Sequence, residues 1–115
     1  MVKNITFDIT QFDFDLINHV KKLRGIKKWS QDELSLKMGV AKSFVSNVES
    51  LTQRNKYSTR HIALLAKAFE YKNISDLMKF PTPQYDKIKV TLKQTMNESG
   101  TKSMSSVVLK IEALE

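Results

Sequence analysis

SQDELSLKMGVAKSFVSNVES, residues 30 to 50, sets out a helix, a tight turn and a second helix in that order. Ser30 followed three residues later by Glu33 is a capping box. The hydroxyl accepts from an orphan amide at the helix start, and the glutamate reaches back to the cap amide. A helix is therefore expected from Gln31. Leu34 and Met38, with small Ser35 beside them, form its inward stripe, while Gln31, Asp32 and Lys37 face out. Gly39 stops it, because the residue just past a helix end commonly needs the positive φ that glycine adopts without steric cost.

Beyond the turn, Val45 and Val48 repeat at i, i+3 and face inward. Lys42, Ser43, Phe44, Ser46 and Asn47 are left largely on the outer face. That outer face is short and polar with one lysine as its only charge, unlike the Glu/Lys mixture of an ordinary surface helix. Such side chains suit hydrogen bonds to base edges and phosphates. Charge points the same way. The chain of 115 residues has a formal net charge of +7, and between Val20 and Arg60 ten basic residues stand against three acidic ones. The whole excess surrounds the helix-turn-helix, as expected of a polyanion binder.

The segment from about Leu16 to Met78 resembles the Cro/CI-type (XRE) helix-turn-helix family of phage repressors and bacterial regulators. The resemblance implies a mainly α fold: a five-helix, lambda-repressor-like DNA-binding domain, with helices near Asp15 to Arg24, Gln31 to Met38, Lys42 to Ser50, Thr59 to Phe69 and Ile74 to Lys79. Leu16, Val20 and Leu23 support the first, and Ser58 with Ile62, Leu65 and Phe69 the fourth. By position, Gln31 resembles the glutamine that clamps a backbone phosphate. Lys42, Ser43, Ser46 and Asn47 resemble the base-reading positions of the recognition helix, with Phe44 near thymine methyls or the backbone. Arg24 and Glu49 resemble a structural ion pair joining the first helix to the end of the third. Two departures stand out. Ala41 replaces the usual Ser or Thr cap, forgoing about 1 kcal/mol. The loop from Leu51 to Tyr57 is longer than usual and contains Arg54 and Lys56, both plausible phosphate contacts.

Pro81 and Pro83, the two prolines of the chain, end the helical part and favour an extended linker. Beyond them Ile88, Val90 and Leu92 alternate with Lys87, Lys89, Thr91 and Lys93 as in a half-buried strand. Asn97-Glu-Ser-Gly100 supplies a turn. Val107, Leu109 and Ile111 alternate again, although Met104, Val107, Val108, Ile111 and Leu114 also fit a helical stripe; β-branching and the turn favour a strand. Ile5, Phe7 and Ile9 alternate before the first helix. The expected organisation is a strand segment at 1–12, the DNA-binding domain at 13–80, and a C-terminal β extension at 81–115, with the terminal strands forming a small sheet.

No cysteine is present, so disulfides and thiolate metal sites are excluded. There is no run of 18 apolar residues, no signal-peptide pattern at the start, no HExxH and no glycine-rich phosphate loop. The aromatic residues read as core and rim packing, and His19 and His61 as solvated. The expectation is a cytoplasmic, sequence-specific transcriptional regulator, not an enzyme, without metal or cofactor and without membrane contact, binding double-stranded DNA as a homodimer. The dimer contact is expected on the terminal strands, through Val90, Leu92, Val107, Leu109 and Ile111; helix five, with Leu77, Met78 and Phe80, is the alternative. The alternative function is an antitoxin or phage accessory protein that holds a protein partner and autoregulates through DNA binding.

Overall fold

The computed structural model describes residues 2–52, 54–99 and 103–114, and the side chains among them except those of 103 and 104. Eight elements follow in order: β1 (Val2–Thr10), α1 (Gln11–Lys27), α2 (Gln31–Met38), α3 (Phe44–Glu49), α4 (Thr59–Ala68), α5 (Ile74–Leu77), β2 (Lys87–Met96) and β3 (Ser103–Ala113). The chain is therefore mixed α/β, which corrects the expectation of a mainly α fold. The apolar alternation visible in sequence covers only part of each strand. Backbone pairing carries β1 and β2 outward through polar residues, with Val2 opposite Thr95 and Asn4 opposite Lys93.

Two compact units result, one of residues 1–11 with 83–115 and one of residues 12–82. The first is an antiparallel sheet in the order β1-β2-β3. Residues that face each other across a ladder lie on the same side of the sheet. One side accordingly carries Ile9, Ile88 and Ala113, then Phe7, Val90 and Ile111, then Ile5, Leu92 and Val108. The other carries Asp8, Lys89 and Glu112, then Thr6, Thr91 and Lys110. Ile88, Val90 and Leu92 are buried. The register slips between Thr91 and Leu92, leaving Leu109 of β3 without a partner residue, as in a β-bulge. The last segment is thus a strand. Glu98 and Ser99 turn toward it, and Gly100, expected to complete that turn, lies outside the described residues.

In the second unit Leu16, Ile17 and Val20 of α1, Leu34 and Met38 of α2, Val45 and Val48 of α3, Leu65 of α4 with Phe69 just past its end, and Leu77 of α5 are buried. Helix α1 is longer than expected at both ends. It stops where Lys28 enters the left-handed region at φ 60°, with the Lys28 and Trp29 amides donating back to Gly25 and Arg24 carbonyls. Helix α2 has the bounds and the complete capping box read from sequence: the Glu33 amide donates to Ser30 Oγ, and the Ser30 amide donates to Glu33 Oε1. No helix among the described residues is long and apolar enough to cross a membrane.

Gly39 sits at φ 75°, and a Cβ added there would meet nothing within 4 Å. Its requirement is therefore one of backbone conformation alone. Gly39→Ala should lower stability by about 1 kcal/mol, and Gly39→Asn by less, since asparagine tolerates the left-handed region. Urea unfolding midpoints of the two variants test this. An alanine variant as stable as the parent would show that the turn does not need the left-handed residue.

Candidate nucleic-acid interface

Glu49 organises this region. Its side chain is 2% exposed, and its Oε1 and Oε2 accept from Arg24 Nη2 at 2.8 Å and Nε at 2.9 Å. Such a two-pronged contact is the geometry to which a guanidinium fork is fitted. Arg24 Nη1 also donates to the Trp29 carbonyl at 2.8 Å. The Glu49 hydrogen bond holds the Arg24 guanidinium pKa above its ordinary value, against the opposing effect of burial. Gln31 Nε2 donates to the same Glu49 Oε1 at 3.0 Å. One carboxylate thereby ties α1, the first residue of α2 and the last residue of α3.

The start of α3 is held differently. The expected helix from Lys42 to Ser50 is observed only from Phe44 to Glu49, with Lys42 and Ser43 in a turn before it. The cap position of the observed helix is Ser43, not Ala41, and its side chain makes no cap hydrogen bond; the chain enters through a tight turn in which the Phe44 amide donates to the Ala41 carbonyl at 2.9 Å. The Val45 amide instead finds Ser35 Oγ at 3.1 Å, inside the domain. A buried serine of α2 thus supplies a cap that α3 lacks locally. Sequence reading placed Ser35 on the inward face without giving it this role; a lone hydroxyl in an apolar stripe was the available signal.

Around this frame the expected contact residues are distributed as follows. Lys42 and Ser43 are exposed, and Ser46 and Asn47 half-buried. Lys42 Nζ lies 3.8 Å from Asp32 Oδ2, both largely exposed, a pairing of little energetic weight. The Ser46 hydroxyl donates to the Ser43 carbonyl at 2.9 Å. Gln31 and Asp32 therefore bring the N-terminal end of α2 beside α3, next to its polar row. Phe44 is not an outward ring. It packs on His61 at 4.4 Å and on Tyr57 at 5.9 Å between centroids. Arg54 is exposed in the following loop, and Lys56 is half-buried with Nζ 3.4 Å from the Asn55 carbonyl.

Both histidines have structural partners, which corrects the expectation that they are merely solvated. His19 Nε2 donates to the Leu77 carbonyl at 2.8 Å, and its ring lies 5.0 Å from that of Phe80. His61 closes a capping box on α4: the Ser58 amide donates to His61 Nδ1 at 2.9 Å, while the His61 amide donates to Ser58 Oγ. An imidazole in a helix N-terminal box accepts only while Nδ1 is unprotonated. Tyr57 is buried beside Phe44 and His61, and its hydroxyl has no hydrogen-bond partner among the described residues. Burial, followed by the Glu49 carboxylate, pushes its pKa upward.

Arg24→Ala and Glu49→Ala should each destabilise the helical unit by about 3 kcal/mol, because each strands a desolvated charge. The double variant should lose less than the sum, as denaturant unfolding around a double-mutant cycle would record; additive losses would mean the contact has no coupling energy. A second expectation concerns pH. Burial, and then the charge of Arg60, lowers the His61 pKa below 6.5. The unfolded chain thus binds a proton that the folded chain refuses, so this contribution is fully present above pH 6.5 and is lost as pH falls toward the folded value. His61→Gln keeps a side-chain acceptor for the cap and should flatten the decline of Tm between neutral and mildly acidic pH relative to the parent. Parallel Tm profiles would remove His61 from the account. Comparison with protein-family models, curated proteins and solved structures finds no match to this chain.

Proposed function

We propose that this protein is a sequence-specific DNA-binding transcriptional regulator that presents α3, with the turn at Lys42 and Ser43, to the major groove of double-stranded DNA. One observation carries the reading. The Glu49 carboxylate fastens α3 to α1 and α2 on its inner side, leaving a row of short polar side chains and one lysine as the outer surface of a rigidly mounted helix. Lys42, Ser43, Ser46 and Asn47 are the base-reading residues of this proposal. Gln31, Arg54 and Lys56 position the backbone, with Phe44 anchoring the start of the helix rather than touching thymine methyls.

Local charge supports the same reading. Lys21, Lys22, Lys27 and Lys28 near the end of α1, together with Arg54 and Arg60, are exposed. Their field attracts a polyanion without regard to sequence, whereas the α3 row supplies donors and acceptors at fixed positions. A regulator of this kind acts in the cytoplasm and needs neither metal nor cofactor.

Selection from random duplexes at moderate salt, followed by titration of the enriched site, tests the proposal; equal weak binding to every duplex would refute sequence recognition. For the enriched site, Lys42→Ala and Asn47→Ala should each cost about 1–3 kcal/mol and relax preference at particular base pairs. Gln31→Ala should weaken all duplexes alike. A Lys42 or Asn47 variant with unchanged affinity and unchanged base preference would remove that residue from the reading face.

A further inference from the structure

Strand β3 is an edge, and its apolar side chains are uncovered: Val107 is 58% exposed, Leu109 51% and Ile111 47%. The other edge strand, β1, has among its described residues Val2 as its one large hydrophobic of comparable exposure. An edge that is long, apolar and unpaired is a template for another strand. What that strand must look like follows from the backbone and from two charges.

The Leu114 amide donates to the Lys87 carbonyl at 3.0 Å, which makes this facing pair a hydrogen-bonded one in the ladder between β2 and β3. Hydrogen-bonded and open pairs alternate along an antiparallel ladder. Glu112 and Lys110, facing Lys89 and Thr91, therefore turn their amides toward β2. Ile111 and Ala113 turn theirs outward. An incoming antiparallel strand can bond at Ile111 and not at its two neighbours.

Lys110 and Glu112 flank Ile111 on the opposite side of the sheet, with Nζ and Oε1 3.6 Å apart and both side chains largely in solvent. A second β3 related by a two-fold axis at Ile111 faces Ile111 with Ile111, Lys110 with Glu112 of the second copy, and Leu109 with Ala113 of the second copy. The two charged pairs fall at open positions of the new ladder, where facing side chains are closest. An axis at Lys110 or Glu112 would set a charge against itself and use inward-turned amides. An axis at Leu109 or Ala113 leaves both charges without an opposite. Backbone phase and charge pattern select the same register independently.

We infer that the occupant of this edge is a second copy of the chain, joined by β3–β3 pairing about a two-fold axis at Ile111, so that two three-stranded sheets become one continuous sheet. The contact is isologous and closed, so it ends at a dimer. It rests on the sheet alone and does not depend on the DNA reading, so its test contains no nucleic acid.

The experiment is sedimentation of the full chain, with folding of each variant checked by circular dichroism. The parent chain should sediment as a dimer. Lys110→Glu and Glu112→Lys each bring two like-charge pairs into register and should raise the dissociation constant by about tenfold, while the combined swap should return it to near the parent value. Because the chain has no cysteine, single introduced thiols report the register. Ile111→Cys should give a disulfide-linked dimer on oxidation, since facing Cα atoms are about 5.5 Å apart. Leu109→Cys should not, since its two copies would lie roughly 13 Å apart along the ribbon, beyond disulfide reach. A monomeric parent chain at high micromolar concentration, a swap that fails to restore association, or preferential cross-linking through Leu109→Cys would overturn the proposal.

Discussion

A single desolvated carboxylate holds the helical unit in its working arrangement. Glu49 ends α3, yet its partners lie on α1 and at the first residue of α2. Burying a charge is costly unless its hydrogen-bonding capacity is used. Here both oxygens are used, and each partner is a planar donor with fixed geometry. The constraint is thus directional as well as electrostatic. A leucine at this position could fill the space but could not fix the angle at which α3 leaves α2. On the proposed reading, in which α3 holds short side chains in register with DNA, that angle matters more than net stability.

Helix α3 could not stand without such support. At six residues it is far below the length at which an isolated helix persists in water. Its two ends are secured by different chemistry: at the start a borrowed hydroxyl from Ser35 and the packing of Phe44 on Tyr57 and His61, at the end an ion pair. Its outer row consequently carries little structural duty: the Ser46 hydroxyl bonded to the Ser43 carbonyl and the exposed Lys42–Asp32 contact. Trp29 extends the same economy to α2, stacking on Phe69 at 5.1 Å while Lys37 Nζ covers its other surroundings at 4.7 Å from the ring centroid.

What could be read from the sequence was whatever the chain encodes within a few residues. The α2 capping box, Gly39 and the alternation in β2 are local signals, and the elements they announce are present. The start of α3 was misjudged because its cap comes from Ser35, ten residues earlier and on another helix. The histidines were misjudged for the same reason: His19 answers a carbonyl fifty-eight residues away, while the His61 box uses an imidazole where glutamate or glutamine is the usual signal. The fold class was misjudged because strand ends are set by pairing partners. Lys3 is a strand residue because Gln94 lies opposite it, and nothing in its own neighbourhood says so. The resemblance already implied the Arg24–Glu49 pair, and it is present, whereas the Gln31 amide donating to the same carboxylate has no signal in its own stretch of sequence.

The sheet order also imposes a sequence of events. Its central strand, β2, pairs on one side with β1, and the entire helical unit lies between them in the chain. The helical unit is one continuous stretch of chain, residues 12–82, so its contacts need neither β2 nor β3. During synthesis β1 therefore emerges before β2 and waits for it while the 76 residues from Gln11 to Asp86 are added, several seconds at ordinary elongation rates. Only then can β2 arrive to sit beside it and β3 to complete the edge. A nascent chain would thus hold a folded helical unit before it had a sheet, and any function that needs the β3 edge is withheld until translation has passed Ala113.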